Sequence, residues 1–216
     1  MKTKNPINGL ILYSLYSSSG NIVLFLSISI ILGVIYAITG NDPFSFLPPA
    51  IAVTTLPCTL MLTNHKDSAS KWNRFQLTMP VKRKDVIASK YLGLLLLLVV
   101  GTVIFGMFTI LGAVMHNGED TTARALFTFS LLAGAALLSG GLFYPAVYVF
   151  SDESKSEALS IICILGAFGI NAGVLWIGDK ANLAPNNAAV ACLVVLVVLF
   201  AISYSVASKI YSQKNL

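Results

Sequence analysis

Charge is what this chain has least of. Only 11% of its 216 residues are Asp, Glu, Lys or Arg, while 56% are hydrophobic and the mean hydropathy is +0.80. A soluble domain of this length needs a largely polar and charged outer shell, so water is not its expected solvent. Six stretches lack Asp, Glu, Lys, Arg and His altogether: Ile22 to Thr39, Phe46 to Thr63, Tyr91 to Met115, Ala125 to Phe150, Ala158 to Ile177 and Ala188 to Ala207. Crossing roughly 30 Å of hydrocarbon takes about 17 to 25 helical residues. Backbone groups in lipid must be bonded within the segment, so uninterrupted runs of this length predict helices rather than the short alternating strands of a barrel. The expected fold is an all-α integral membrane protein, with six transmembrane helices in a single domain over residues 1–216.

Other shortages narrow the function. No ionisable residue falls inside a span, which argues against a proton relay or a carboxylate-lined ion path. The two histidines, His65 and His116, lie at span ends that an alternating topology puts on opposite sides, so they are not expected to share a metal. A phosphate-binding loop needs Gly, four residues, then Gly-Lys-Ser/Thr; the nearest stretch, GVLWIGDK from Gly173 to Lys180, has Asp179 in the lysine position. No catalytic group, metal site or cofactor is therefore expected in this chain. Cys58, Cys163 and Cys192 all fall inside spans, where cysteine is a small apolar packer. The basic residues carry no extended series of stacking aromatics of the kind a nucleic-acid binder would require, so nucleic acid is not an expected partner.

Lys2 and Lys4 precede an apolar run, but the run from Ile22 is long enough to span and no A-x-A site follows, which opposes a cleaved leader. Ile7, Leu10, Ile11 and Leu15 are spaced as one helical face and predict an amphipathic helix over residues 1–20 lying on the membrane.

What charge there is lies mostly on one side. With six spans, twelve of the fourteen Lys and Arg residues share a face, leaving only Arg124 and Lys180 opposite. Short-loop basic residues mark the cytoplasmic side, so both termini and the loop from Asn64 to Lys90 are expected there. The net charge of +5 belongs to that face, where it would attract anionic lipid. The opposite loops are too short for a folded domain, which leaves the basic loop as the one sizeable soluble element.

That loop reads NHKDSASKWNRFQLTMPVKRKDVIASKYLG. The part SASKWNRFQLT has room for two to three helical turns and should stop before Pro80, because a residue preceding proline is pushed out of the helical region. A new helix is then expected to run from VKRKDVIASKY into the third span. Trp72 and Phe75, flanked by Lys71 and Arg74, suit the centre of a protein interface; Trp72 suits a headgroup-layer anchor equally well. Within the spans, GINAG places Gly169 and Gly173 around Asn171, and Gly134, Gly140 and Gly141 lie in the fourth run. Such small residues allow close helix contact within or between subunits. Asn171 either bonds a neighbouring helix or lines a polar path. Pro48, Pro49, Pro57 and Pro145 mark bends or flexing points.

The loop resembles that of the membrane subunits of ABC-2 type ABC transporters, in particular the small bacterial permeases of peptide and antimicrobial exporters. The matching positions are Asp67, Trp72, Pro80, Val81, Arg83, Lys84, Ser89, Lys90 and Tyr91, with Met79 where the family usually has Leu. A second likeness follows the fourth run at Pro145, Tyr148, Phe150, Asp152, Glu153 and Lys155, with Ser151 and Ser156 departing from the family's Gly and Arg. The resemblance implies that the loop from about Ser68 to Met79 is a coupling helix seated in a separate ATPase subunit, which would carry ATP and magnesium. It implies Asp67, Lys71, Trp72, Arg74 and Phe75 as contact residues, and Pro80, Arg83, Lys84, Lys90 and Tyr91 as the elbow into the third span. Asp152, Glu153 and Lys155 would form a second cytoplasmic turn. Two permeases, identical or paralogous, would pair with two ATPases in a bacterial plasma membrane and move amphipathic peptides outward. A non-transporting immunity or sensor protein that meets a cytoplasmic regulator through its basic loop is the alternative, and a membrane enzyme is disfavoured by the sparse polar inventory.

Overall fold

The computed structural model describes residues 6–39, 51–69, 81–116, 121–150, 156–180 and 185–213. Among these lie seven α-helices and one π-helical turn, with no strand. The chain opens with α1 (Pro6–Ser17) and α2 (Ser19–Thr39), which meet at a 61° bend. The backbone ladder continues through it, Ser18 N donating to Ser14 O at 3.1 Å and Ile22 N to Ser18 O at 3.0 Å. The run Ser17-Ser18-Ser19-Gly20 accounts for the bend, since serine and glycine pairs are where helices kink without proline.

Part of the apolar face expected to lie on the membrane packs on protein. Leu10 is buried and Leu15 packs beside it against α3 and α4, while Leu12 and Tyr16 on the other side are 69% and 80% exposed. Residue spacing identifies such a face; what covers it is a matter of tertiary structure.

A π-helical turn (Ile51–Thr55) leads directly into α3 (Leu56–Ala69). Pro57 explains it: the ring has no N–H and crowds the carbonyl four residues back, at Val53, so the turn widens just upstream. Helix α4 (Arg83–His116) crosses this widened turn at Gly101, where an added Cβ would stand 2.5 Å from the Ala52 carbonyl oxygen.

The remaining helices are α5 (Thr121–Phe150), α6 (Ser156–Lys180) and α7 (Pro185–Gln213). Among the described residues three helical segments are long and apolar enough to cross a membrane, Arg83–Leu111, Leu126–Val149 and Ala189–Gln213, and the bent pair α1–α2 makes up to four. Ile51–Thr63 and Ala158–Ile170 are shorter apolar helices over the described residues; the first residues of the expected second span, 46–50, lie outside them. The expected third-span helix is one piece with the elbow, because α4 begins at Arg83. Likewise α3 extends beyond Thr63 to Ala69, so the basic loop is shorter than the charge pattern alone suggests. A helix does not have to end where its apolar run does.

Helix α5 is central. Its apolar window is 61% buried, against 22% for those of α4 and α7. Small residues make this possible: a Cβ on Gly140 would overlap the Leu94 side chain, and one on Gly141 would meet Phe200 and Ser203 at 3.8 Å. The outer faces of α4 and α7 carry large aliphatics such as Val103, Ile110, Val194 and Ile202, all more than half exposed. Small residues inside and aliphatics outside are the arrangement expected where the solvent is hydrocarbon.

Pro145, inside α5, removes the N–H that would have bonded the Gly141 carbonyl. A neighbouring helix supplies the donor. Ser203 Oγ on α7 donates to Gly141 O at 2.5 Å, and Tyr91 Oη on α4 lies 2.8 Å from Ser203 Oγ. The single Ser203 hydrogen is committed to the carbonyl, so Tyr91 is the donor in the second bond. Around this relay the Tyr91 ring sits 5.0 Å from both Tyr144 and Phe200 and 5.4 Å from Tyr204.

Candidate functional site

The two ends of the basic loop come together in space. Asp67, in the last turn of α3, and Lys90, in the third turn of α4, line one small cavity with Ser14, Leu60, Thr63 and Tyr144. Tyr13 Oη on α1 donates to Asp67 Oδ1 at 3.2 Å across 54 residues of sequence. Asp67 is only 6% exposed. Burial pushes its carboxyl above the ordinary carboxylate range, an effect opposed by the positive charge of Lys90 and by the Tyr13 hydrogen bond. Asp67, expected among residues contacting an outside partner, is thus turned into the bundle, since its carboxylate finds both a hydroxyl and a cation there.

Helix α4 starts with the backbone of Lys82, whose carbonyl accepts from Asp85 N at 2.9 Å, and Asp85 puts an acid in the first turn where the helix dipole favours one. Arg83 sits in the same turn, where a cation is disfavoured. Its Nη1 donates instead to the Ser212 carbonyl at 3.2 Å, at the C-terminal end of α7, where a cation is favoured. Lys82 and Lys84 are exposed. Tyr91, the last expected elbow residue, is 3% exposed and belongs to the aromatic core and the relay to Gly141.

Lys71, Trp72, Arg74, Phe75 and Pro80 lie outside the described residues, as do Asp152, Glu153 and Lys155. Gly169 and Gly173 are on α6 with nothing within 4 Å of an added Cβ, and the Asn171 side chain is outside the described set. In contrast, Gly140 and Gly141 pack within the chain. Composition alone had no means of finding Tyr13 or Ser203, because each is one hydroxyl among many. The acceptor at Gly141 did carry a signal, namely a proline four residues later.

A larger cleft of about 180 Å³ opens among α2, the π-helical turn, α3, α5 and α6, lined in part by Phe25, Thr55, Leu62, Ile164 and Phe168. Two of its hydroxyls are occupied locally: Thr55 bonds the Ile51 carbonyl and Ser139 the Ala136 carbonyl at 2.9 Å, and Cys58 Sγ lies 3.7 Å from Ser139 Oγ. The walls therefore present mainly hydrocarbon. An apolar cavity of roughly 150 Å³ holds one benzene ring, so this cleft suits one aromatic or branched side chain or a short length of acyl chain.

Among the described residues no group of three or more His, Cys, Asp or Glu could hold a metal ion. No curated protein and no solved structure matches the chain. The family model described as "ABC-2 family transporter protein" matches residues 9–212, nearly the whole length and therefore α1, the neck of the basic loop and all the later helices. The chain thus belongs to the ABC-2 transporter family, as a multi-pass membrane permease component of the kind that works with an ABC ATPase.

Proposed function

We propose that this chain is the permease subunit of an ATP-driven exporter of amphipathic or apolar compounds, peptides among them. Membership of the ABC-2 family over residues 9–212 carries the reading. In it the chain crosses a bacterial plasma membrane six times with both termini cytoplasmic, and two permeases, identical or paralogous, stand over two ATPases that hold ATP and magnesium. The segment from Ser68 to Met79 docks on the ATPase through Lys71, Trp72, Arg74 and Phe75. Asp152, Glu153 and Lys155 form a second turn on the same side.

Two observations support this assignment of roles. The neck of the loop is tied to the bundle at Asp67, Arg83 and Lys90, so a push on the loop reaches α3 and α4 without being absorbed there. The apolar cleft beside Phe168, a residue 38% exposed, suits an apolar group arriving from the side rather than a hydrated solute. The test is to purify the chain with the ATPase that accompanies it, and to compare export with Trp72→Ala and Arg74→Glu. Both variants should insert normally while export per ATP hydrolysed falls at least about fivefold, the lower range of a typical coupling energy. Full assembly and full export in both variants would remove Trp72 and Arg74 from the contact.

A further inference from the structure

Three polar groups from three segments meet at the base of the loop. Tyr13 comes from α1, Asp67 from the turn before the loop and Lys90 from the helix after it. The cavity that Asp67 and Lys90 border has a volume of about 10 Å³, room for at most a single water. Asp67 is buried and Lys90 partly so, and an ion pair drawn out of solvent adds little net stability, because apolar side chains of similar volume would pack there at no greater cost. Removing one partner is different: it leaves the other without its counter-charge. Such a contact is therefore either closed or broken open to water, with little between. In its closed form it fixes α1, α3 and α4 relative to one another.

We propose that Tyr13, Asp67 and Lys90 form a clasp that makes the N-terminal helix and both ends of the loop one rigid unit, and that these are positioning residues for energy transfer through the loop. The energy-transfer half rests on the ATPase-docking reading given above. The clasp itself does not. When the loop is displaced, α1 moves with it, and the 61° bend at Ser18 is the joint through which that motion reaches α2. Ser18 is fully buried at the joint, with its hydroxyl unsatisfied by hydrogen bonding, so the bend is held by packing rather than by a polar tie of its own.

The decisive comparison is between Asp67→Leu, Lys90→Met and the two combined, in the full permease–ATPase complex in proteoliposomes. Each single variant leaves one charge without its counter-charge and should lower thermal stability. The double variant strands none and should melt like the wild type, yet its export per ATP hydrolysed should stay at least about fivefold down. If the double variant recovers export together with stability, the residues are merely structural and the proposal is overturned. A second measurement needs no ATPase: spin labels at Leu12→Cys and Lys82→Cys, both exposed, in a background with Cys58, Cys163 and Cys192 replaced by serine. The wild type should give one narrow distance distribution and Asp67→Leu/Lys90→Met a broad one. An unchanged distribution would overturn the clasp. A broadened one alongside a wild-type chain that binds no ATPase would keep the clasp and refute the docking reading instead.

Discussion

Replacing Ser203 with alanine isolates the relay that joins α4, α5 and α7. Ser203 satisfies the Gly141 carbonyl that Pro145 deprives of its own helix donor, and accepts from Tyr91. Ser203→Ala therefore removes two hydrogen bonds. A neutral bond between membrane helices is worth about 0.6 to 2 kcal/mol, so the loss should be about 2 kcal/mol in total. The partition follows from a cycle with Pro145→Ala, which restores an N–H four residues after Gly141. In that background the carbonyl has an intrahelical donor again and Ser203→Ala should cost about 1 kcal/mol less, the remainder being the Tyr91 bond. Tyr91→Phe alone should account for that remainder. Unfolding of the purified protein in mixed micelles, titrated with SDS, gives each free energy. Equal costs for Ser203→Ala with and without Pro145 would show that Ser203 does not serve the carbonyl, and the explanation of the proline would fall with it.

Gly101→Ala drives a Cβ to within 2.5 Å of the Ala52 carbonyl and should cost about 1 to 3 kcal/mol by overpacking, whereas Gly106→Ala, with open space around it, should be neutral or stabilising by up to about 1 kcal/mol. The same micelle titration compares them, and equal effects would put the α4 crossing elsewhere. Gly169→Ile should leave unfolding of the single chain unchanged, because nothing lies within 4 Å, but should weaken the proposed permease pair in cross-linking if α6 is the subunit contact. An unaffected pair would move that contact off Gly169. Ile164→Trp fills the cleft from α6 and should reduce export of an amphipathic peptide while the ATPase still co-purifies; undiminished export would exclude the cleft as a cargo site.

Hydrophobic runs in the sequence correspond closely to the observed helices: the third predicted run, Tyr91 to Met115, falls within α4 and the sixth, Ala188 to Ala207, within α7. The helices outrun the apolar stretches at the loop ends, because a helix entering water loses lipid contact but keeps its backbone bonds. Asp67 shows where residue type misleads. A carboxylate in a basic loop reads as a surface group, and only the fold brings Tyr13, 54 positions away, and Lys90 to its sides. Arg83 is similar: three basic residues in a row look interchangeable, yet Arg83 reaches the end of α7. Local rules were strongest where a proline dictates backbone chemistry, as at Pro57 and Pro145, since there the consequence lies within four residues.

The polar ties and the apolar cleft occupy different parts of the bundle, and α3 is the element they share. Asp67 stands near one end of it; at the other, Cys58 and the adjoining Thr55 line the cleft. Asp67 and Cys58 are nine residues apart along this 14-residue helix, about 14 Å at 1.5 Å per residue. An uninterrupted helix transmits a displacement along its axis, whereas the π-helical turn beyond it, already released from the regular ladder by Pro57, is where the backbone can change register. If the clasp moves as a unit, the first place that motion can alter shape is thus the wall of the cleft formed by Thr54 and Thr55. Gly101 sets the limit on that change: α4 lies against the Ala52 carbonyl so closely that the turn can move only along the face of α4 or away from it.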